Sequence, residues 1–293
     1  MPLINTRVLM SDANNFSTDQ PINPYYHPTP VNLAGARLEH SSIHKLLVQA
    51  GIEVIKVDSP ADSQDGVYTA NWALVRGDKA ILARLPGARQ AEEAYAEKIL
   101  TELGKTVIRV PDNLRFSGQG DALPCGNYLF CGNIYRSDLA AQEFAAKTLG
   151  FERIQLQTIP QLDALGKPVI NMASNWPDSF FYDIDLALAV IKAPDVNQKG
   201  LIAYCPAAFT PESQAVLSSM DQIDKIEVSI EEAEYAFANN LISTGKTVIM
   251  SGRAPKLAAS LKAHGLTIFS PNPDIIELAK GGGFIRCTTL TLD

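Results

Sequence analysis

Cysteine and histidine are scarce in this chain, with only four of each in 293 residues. Cys125, Cys131, Cys205 and Cys287 have neither paired metal-ligand spacing nor the density of a secreted disulfide scaffold. That excludes a zinc ribbon or a disulfide-stapled mini-domain and makes the reducing cytoplasm the expected compartment. Basic clusters are missing too. The 25 Lys and Arg are scattered among 32 Asp and Glu, and a net charge of -7 argues against nucleic acid or an acidic membrane surface as partner. A small cationic substrate fits better. Long hydrophobic runs are absent: residues 186–191 are apolar but far too short to span a bilayer, and Met1-Pro2-Leu3-Ile4-Asn5 lacks the basic flank and apolar core of a signal. Gly281-Gly282-Gly283 does not lie between a strand and a helix with a following Lys, so it is not a phosphate loop.

What is present is a hidden repeat. Apolar segments pair around short turn signals at residues 71–75 with 80–85, 121–123 with 128–131, 183–191 with 200–204, and 240–243 with 247–250, and each pair predicts a β-hairpin. A helix-compatible segment follows each hairpin, at 88–103, 138–149, 211–220 and 255–264, with Ser137 and Thr210 as helix-start residues. A strand then follows each helix, at 106–110, 153–159, 225–230 and 266–270. The unit is hairpin, helix, strand, recurring at roughly fifty residues. A fifth unit arises if a C-terminal strand at 286–292 pairs with one at 7–10 and continues through a helix at 34–50 to a strand at 53–57. The termini then meet, and residues 1–293 form one domain: a five-bladed, pseudo-symmetric α/β propeller with a central pocket.

Each unit places a polar residue at the start of its hairpin: Asn71, Asp121, Asp183 with Asp185, Asn240, and Cys287. Any one of these is as well explained by turn chemistry. Recurrence at equivalent places brings the set to one axis. Cys287 follows the glycine-rich turn at the head of the predicted last strand, where a thiol can face a pocket and act as a nucleophile. The other three cysteines read as small buried apolar residues. His40 and His44 lie four apart on the first predicted helix without a partnering carboxylate motif, so no metal or other cofactor is expected.

These residues make the chain resemble the amidinotransferase and guanidine-modifying superfamily of the pentein fold, nearest to its arginine dihydrolases and dimethylarginine dimethylaminohydrolases. The matching stretches run end to end: Val8-Leu9-Met10, Ile22-Asn23-Pro24, Val67-Tyr68-Thr69-Ala70-Asn71, Arg89-Gln90-Ala91-Glu92-Glu93, residues 116–123, Tyr135-Arg136-Ser137-Asp138, residues 182–188 and residues 281–290. In that family a cysteine attacks the guanidinium carbon, and water or an amine resolves the covalent intermediate. The resemblance implies that Cys287 is the nucleophile. It implies that Asp121 and Asp185 are family carboxylates, that Asn23 and Asn71 belong to the site, and that Arg89 and Arg136 clamp the α-carboxylate of an amino-acid substrate, while Asn240 joins the expected site by its place in the repeat.

Two departures stand out against the family pattern. The stretch usually written Phe-Glu-Gly-x-Gly-Asp is here Phe116-Ser117-Gly118-Gln119-Gly120-Asp121, and Tyr-His-x-Asp is Tyr182-Asp183-Ile184-Asp185. One guanidinium-binding carboxylate and the proton-shuttling histidine are thereby replaced, whether by natural divergence or by engineering. The two changes nearly cancel in charge, so the site keeps its acidic character, with Asp183 expected to face Cys287 and to take over part of the lost glutamate's role. The expected function is a divergent cysteine-dependent hydrolase or amidinotransferase acting on the guanidinium of arginine or an arginine-like amino acid, with Asp183 and Asp185 in acid/base or cation-binding roles. The alternative is a catalytically silent relative that binds such a ligand. A homo-oligomer is compatible with either.

Overall fold

The computed structural model describes residues 3–23, 25–132, 135–172, 175 and 177–293. Met1, Pro2 and Pro24, quoted above, lie outside them. The chain opens with β1 (Arg7–Ser11), α1 (Leu33–Gln49) and β2 (Glu53–Val57). Next come β3 (Ala73–Arg76), β4 (Lys79–Leu82), α2 (Ala91–Glu102) and β5 (Thr106–Arg109), then β6 (Ala122–Cys125), β7 (Tyr128–Cys131), α3 (Leu139–Leu149) and β8 (Glu152–Gln155). The fourth group is β9 (Leu188–Lys192), β10 (Gly200–Tyr204), α4 (Pro211–Ser219) and β11 (Ile223–Glu227). The fifth is α5 (Ile230–Ala236), β12 (Ile242–Ser243), β13 (Thr247–Ile249), α6 (Pro255–Ala263) and β14 (Thr267–Phe269). The last strand, β15 (Leu290–Thr291), returns to pair with β1.

The strands form five three-stranded sheets, β15-β1-β2, β3-β4-β5, β6-β7-β8, β9-β10-β11 and β12-β13-β14. In every sheet an antiparallel pair, a hairpin in four of the five, is extended by a parallel third strand, which a crossover helix delivers. Gly77 and Gly126 turn two of the hairpins at φ of 59° and 64°, a region closed to most side chains. Burial falls from the inside outward. All of β10 is buried, whereas the third strands β2 and β5 carry exposed residues at their ends. Closure joins the two ends of the chain: Asp293 accepts from the Thr6 amide at 2.8 Å, and the Leu292 amide donates to the Arg7 carbonyl at 2.9 Å. No helix among the described residues is long and apolar enough to cross a membrane.

The expected repeat is present, with its hairpins starting later than anticipated. Strands expected from 71, 121, 183, 240 and 286 begin at 73, 122, 188, 242 and 290. The residues between lie in or directly flank tight 3-10 turns, Thr69–Trp72, Gly118–Gly120, Ile184–Leu186 and Arg286–Thr288, with an irregular turn through Asn240 in the remaining blade. Such turns carry a side chain toward the axis before the chain extends. Thr210 caps α4 as anticipated, accepting from the Ser213 amide at 3.4 Å. Ser137 does not cap α3; Asp138 occupies that position, and the Ser137 hydroxyl accepts instead from the Ser117 amide at 3.1 Å. The helix α5 was not legible beside the strand expected at 225–230. Ser229 stops that strand and caps the helix by accepting from Glu232 N.

Candidate active site

Cys287 sits in the 3-10 turn Arg286–Thr288, ahead of β15 rather than on it. The segment before it is held from three sides. Glu39 on α1 accepts hydrogen bonds from the amides of Ile276, Glu277 and Leu278 at 2.9–3.0 Å. The hydroxyls of Tyr68 and Tyr182 donate to the carbonyls of Leu278 and Gly282. A Cβ on Gly283 would stand 2.5 Å from the Tyr68 ring, so the backbone passes where no side chain fits. The glycine run is therefore a requirement of packing. Asn240 then fixes the cysteine itself: its Oδ1 accepts from the Cys287 amide at 3.1 Å, and its Nδ2 donates to the sulfur at 3.2 Å.

The Cys287 thiol donates to Asp185 Oδ2 at 3.4 Å. Burial, reinforced by the negative charge of Asp185, pushes the thiol well above its usual range, and burial with the charge of Asp183 pushes the Asp185 carboxyl up to about 8. Both shifts favour the protonated forms of Cys287 and Asp185. Asp121 is pushed up by burial and by Asp183. Its Oδ1 accepts from the Ile184 amide at 3.2 Å, and Gln142 donates to it from behind, so its contacts support the turn that carries Asp183 and Asp185. Asp183 Oδ2 accepts from Asn71 Nδ2 at 2.8 Å and lies 3.5 Å from Arg136 Nη1. Neither Asp183 Oδ1 nor Asp185 Oδ1 has a hydrogen-bond partner, although both are buried. Two buried carboxylate oxygens thus stand without donors, one of them on the carboxylate whose other oxygen touches the sulfur.

Asp183 and Cys287 line one small enclosed cavity of about 10 Å³, together with Asn71, Arg89, Arg136, Tyr26, Tyr68, Tyr182 and Asp65. Ser117 sits behind Asn71, whose Nδ2 donates to the serine Oγ at 2.9 Å. Arg136 stacks its guanidinium 3.9 Å over the Tyr182 ring. Arg89 reaches the cavity but forks onto Glu92 at 2.8 and 2.7 Å and donates to Asn71 Oδ1 at 2.9 Å. Burial disfavours its charge, and Glu92 more than offsets this. Asn23 accepts from the Tyr25 amide at 2.9 Å, and its Nδ2 is buried without a partner.

Asp65 was missed in the sequence. Its Oδ2 accepts from the Tyr26 hydroxyl, its Oδ1 has no partner, and burial, opposed by Arg89, raises its carboxyl to about 6. The signal was an acid six residues before Asn71 in an otherwise apolar lead-in. Glu39 and Glu92 were also missed, because anchoring a distant backbone or arginine leaves no local pattern. No histidine lines the cavity. His40 is buried on α1 and pushed down to about 4 by burial. Among the described residues no three His, Cys, Asp or Glu are grouped to hold a metal ion.

No family model matches the chain. It is 30% identical over 290 residues to the N(G),N(G)-dimethylarginine dimethylaminohydrolase of Mycobacterium tuberculosis, covering 98% of this chain and 85% of the relative. It is 29% identical to the bifunctional arginine dihydrolase/ornithine cyclodeaminase AgrE of Nostoc sp., covering 97% of this chain but only 37% of that protein. Among solved structures, the product-bound N-terminal domain of ArgZ, an arginine dihydrolase, superposes with a TM-score of 0.82 at 26% identity, covering 98% of this chain and 97% of that one. A relative at 30% identity along nearly the whole chain, and five sheets closed around one cysteine, show that the chain belongs to the guanidine-modifying pentein superfamily.

Proposed function

We propose that this protein is a single-domain, cysteine-dependent enzyme acting on the guanidinium group of arginine or an arginine-like amino acid, working in the reducing cytoplasm. The observation that carries the reading is the buried contact of Cys287 with Asp185 beside two carboxylate oxygens that lack donors. A guanidinium offers planar N–H donors and a positive charge, and it would supply the donors that Asp183 Oδ1 and Asp185 Oδ1 lack. Asp183 and Asp185 would take those donors, Asn71 would hold Asp183 in place, and Asp121 would brace their turn. Arg136 would meet the substrate carboxylate, with the buried Arg89, held by Glu92, behind Asn71. Asp65 would meet its ammonium.

The bound cation is also the activator. Its charge lowers the pKa of Asp185, which releases its proton to solvent as the cation binds, and lowers that of the thiol, so the sulfur can pass its proton to the ionised Asp185 and attack the guanidinium carbon. A C–S bond forms, the C–N bond breaks, and the amine leaves with a proton. Water then yields a ureido product, or an acceptor amine yields a transferred amidine. With Asp183 where relatives are expected to carry histidine, one acid/base partner is gone, and turnover should be about a hundred- to ten-thousand-fold below that of a histidine-bearing site.

A second reading, a silent binder of the same ligands, is favoured by one observation, the absence of histidine from the cavity wall. Intact-mass spectrometry after incubation with arginine, methylated arginines, agmatine and guanidino acids separates the two. A covalent adduct or product lost in Cys287→Ala supports the enzyme. Thermal stabilisation by the same compounds with neither adduct nor product supports the binder.

A further inference from the structure

The cavity holding Cys287 is not the largest in the molecule. A second cavity of about 300 Å³ shares no lining residue with it. Near neighbours in two turns are divided between them. Asp183 and Cys287 line the small pocket, whereas Asp185 and Arg286 line the large one. Its walls include Leu188, Ala189 and Leu241, all buried, and Leu3 lies at its exposed rim with 51% of its surface accessible. Asp185 and Arg286 therefore form its deep end. Asp185 is the partition, with Oδ2 3.4 Å from the sulfur and Oδ1 without a partner.

We infer that this second cavity is the passage by which water reaches the Cys287 intermediate and the small neutral amine leaves it. The inference rests on the enzymatic reading above, and its physical basis is that the small pocket, at about 10 Å³, leaves no room for water to pass a bound substrate. Ile22 and Tyr26 help to line that pocket, and an amino-acid substrate held by Asp65 and Arg136 would fill the approach to the sulfur. Hydrolysis must still bring in one water while the amino-acid end stays bound. The water attacks the carbon bonded to sulfur, a C–O bond forms, and the C–S bond breaks. Asp185 takes the water's proton and returns it to the sulfur. Arg286 adds selectivity, since a buried guanidinium at the deep end repels cationic arginine-like molecules and admits neutral ones. Substrate and solvent would thus use opposite sides of one carboxylate.

Capping the rim tests this without touching the reacting groups. In Leu3→Cys, the four native cysteines are buried, so a bulky maleimide goes to position 3. Two rates are compared with and without the cap: oxidation of Cys287 to its sulfenic acid by dilute hydrogen peroxide, in which the peroxide is reduced to water, and decay of the guanidine adduct. The cap should slow both by about tenfold or more, leaving equilibrium binding of the guanidine unchanged. Ala189→Leu, which narrows the passage from within, should act likewise. Peroxide oxidation indifferent to both changes overturns the passage. A cap-sensitive oxidation with no guanidine adduct from either protein keeps the passage and overturns the enzymatic reading.

Discussion

Asp185 carries more of the chemistry than its place in a short polar motif suggests. It contacts the sulfur, lines the larger cavity and holds a carboxyl that burial and Asp183 push up to about 8. That shift has a consequence for stability. Between the ordinary value of 3.8 and about 8 the folded protein keeps a proton on Asp185 that the unfolded chain releases, so this group's contribution is fully present below pH 3.8 and is lost as pH rises toward 8. Asp185→Asn cannot titrate. Its melting temperature should fall less than the parent's between pH 5 and 8, by about 2–4 °C for each kcal/mol of the slope removed. A cationic guanidine ligand favours the ionised carboxylate, so its stabilisation of the parent should grow over the same range. Differential scanning fluorimetry across pH, with and without arginine, checks both, and parallel slopes for the two proteins would remove Asp185 from the titrating set.

At the scale of the element, the glycine-rich turn depends on a residue far from it in sequence. Glu39 on α1 accepts three consecutive backbone amides at residues 276–278, which no other described side chain is placed to do. Glu39→Ala leaves those donors without their acceptor and should cost about 3 kcal/mol, with Glu39→Gln costing less because one carbonyl oxygen remains. Urea denaturation measures the loss, and faster alkylation of Cys287 in Glu39→Ala would report the loosened turn. This dependence explains what the sequence could and could not disclose. The β-hairpins were legible because alternation and turn residues are local, as at Tyr128–Cys131, where the expected and observed strands coincide. Cys287, Asn71 and Asp183 were legible because equivalent turns repeat. The 3-10 turns were not, since a few polar residues before an apolar run look the same extended or coiled, and their side chains turn inward only because the ring closes. Glu39, Asp65 and Glu92 act on partners distant in sequence or buried with them, so no spacing rule reveals them.

At the scale of the whole molecule, the blades are not independent. Each sheet has only three strands and is too small to bury both faces alone, so stability comes from packing sheets against one another around the axis. One sheet is built from both ends of the chain, and its β15 register sets Val8 opposite Thr291 and Leu9 opposite Leu290. Removing residues 290–293 therefore does more than shorten a terminus. It strips the first strand from that sheet, takes the buried Leu290 and Leu292 out of the core, exposes an edge on β1, and frees Gln119, which accepts from the Thr291 amide and from Arg286. Arg286 would then lose a bond that fixes the turn bearing Cys287. Burial of the two leucines alone is worth about 3–6 kcal/mol, comparable to the entire stability of many domains. The truncated chain should lose cooperative unfolding rather than melt a few degrees lower, and calorimetry should show a broadened or absent transition. A sharp transition close to the parent's would mean that the other four blades hold the ring without its closing strand.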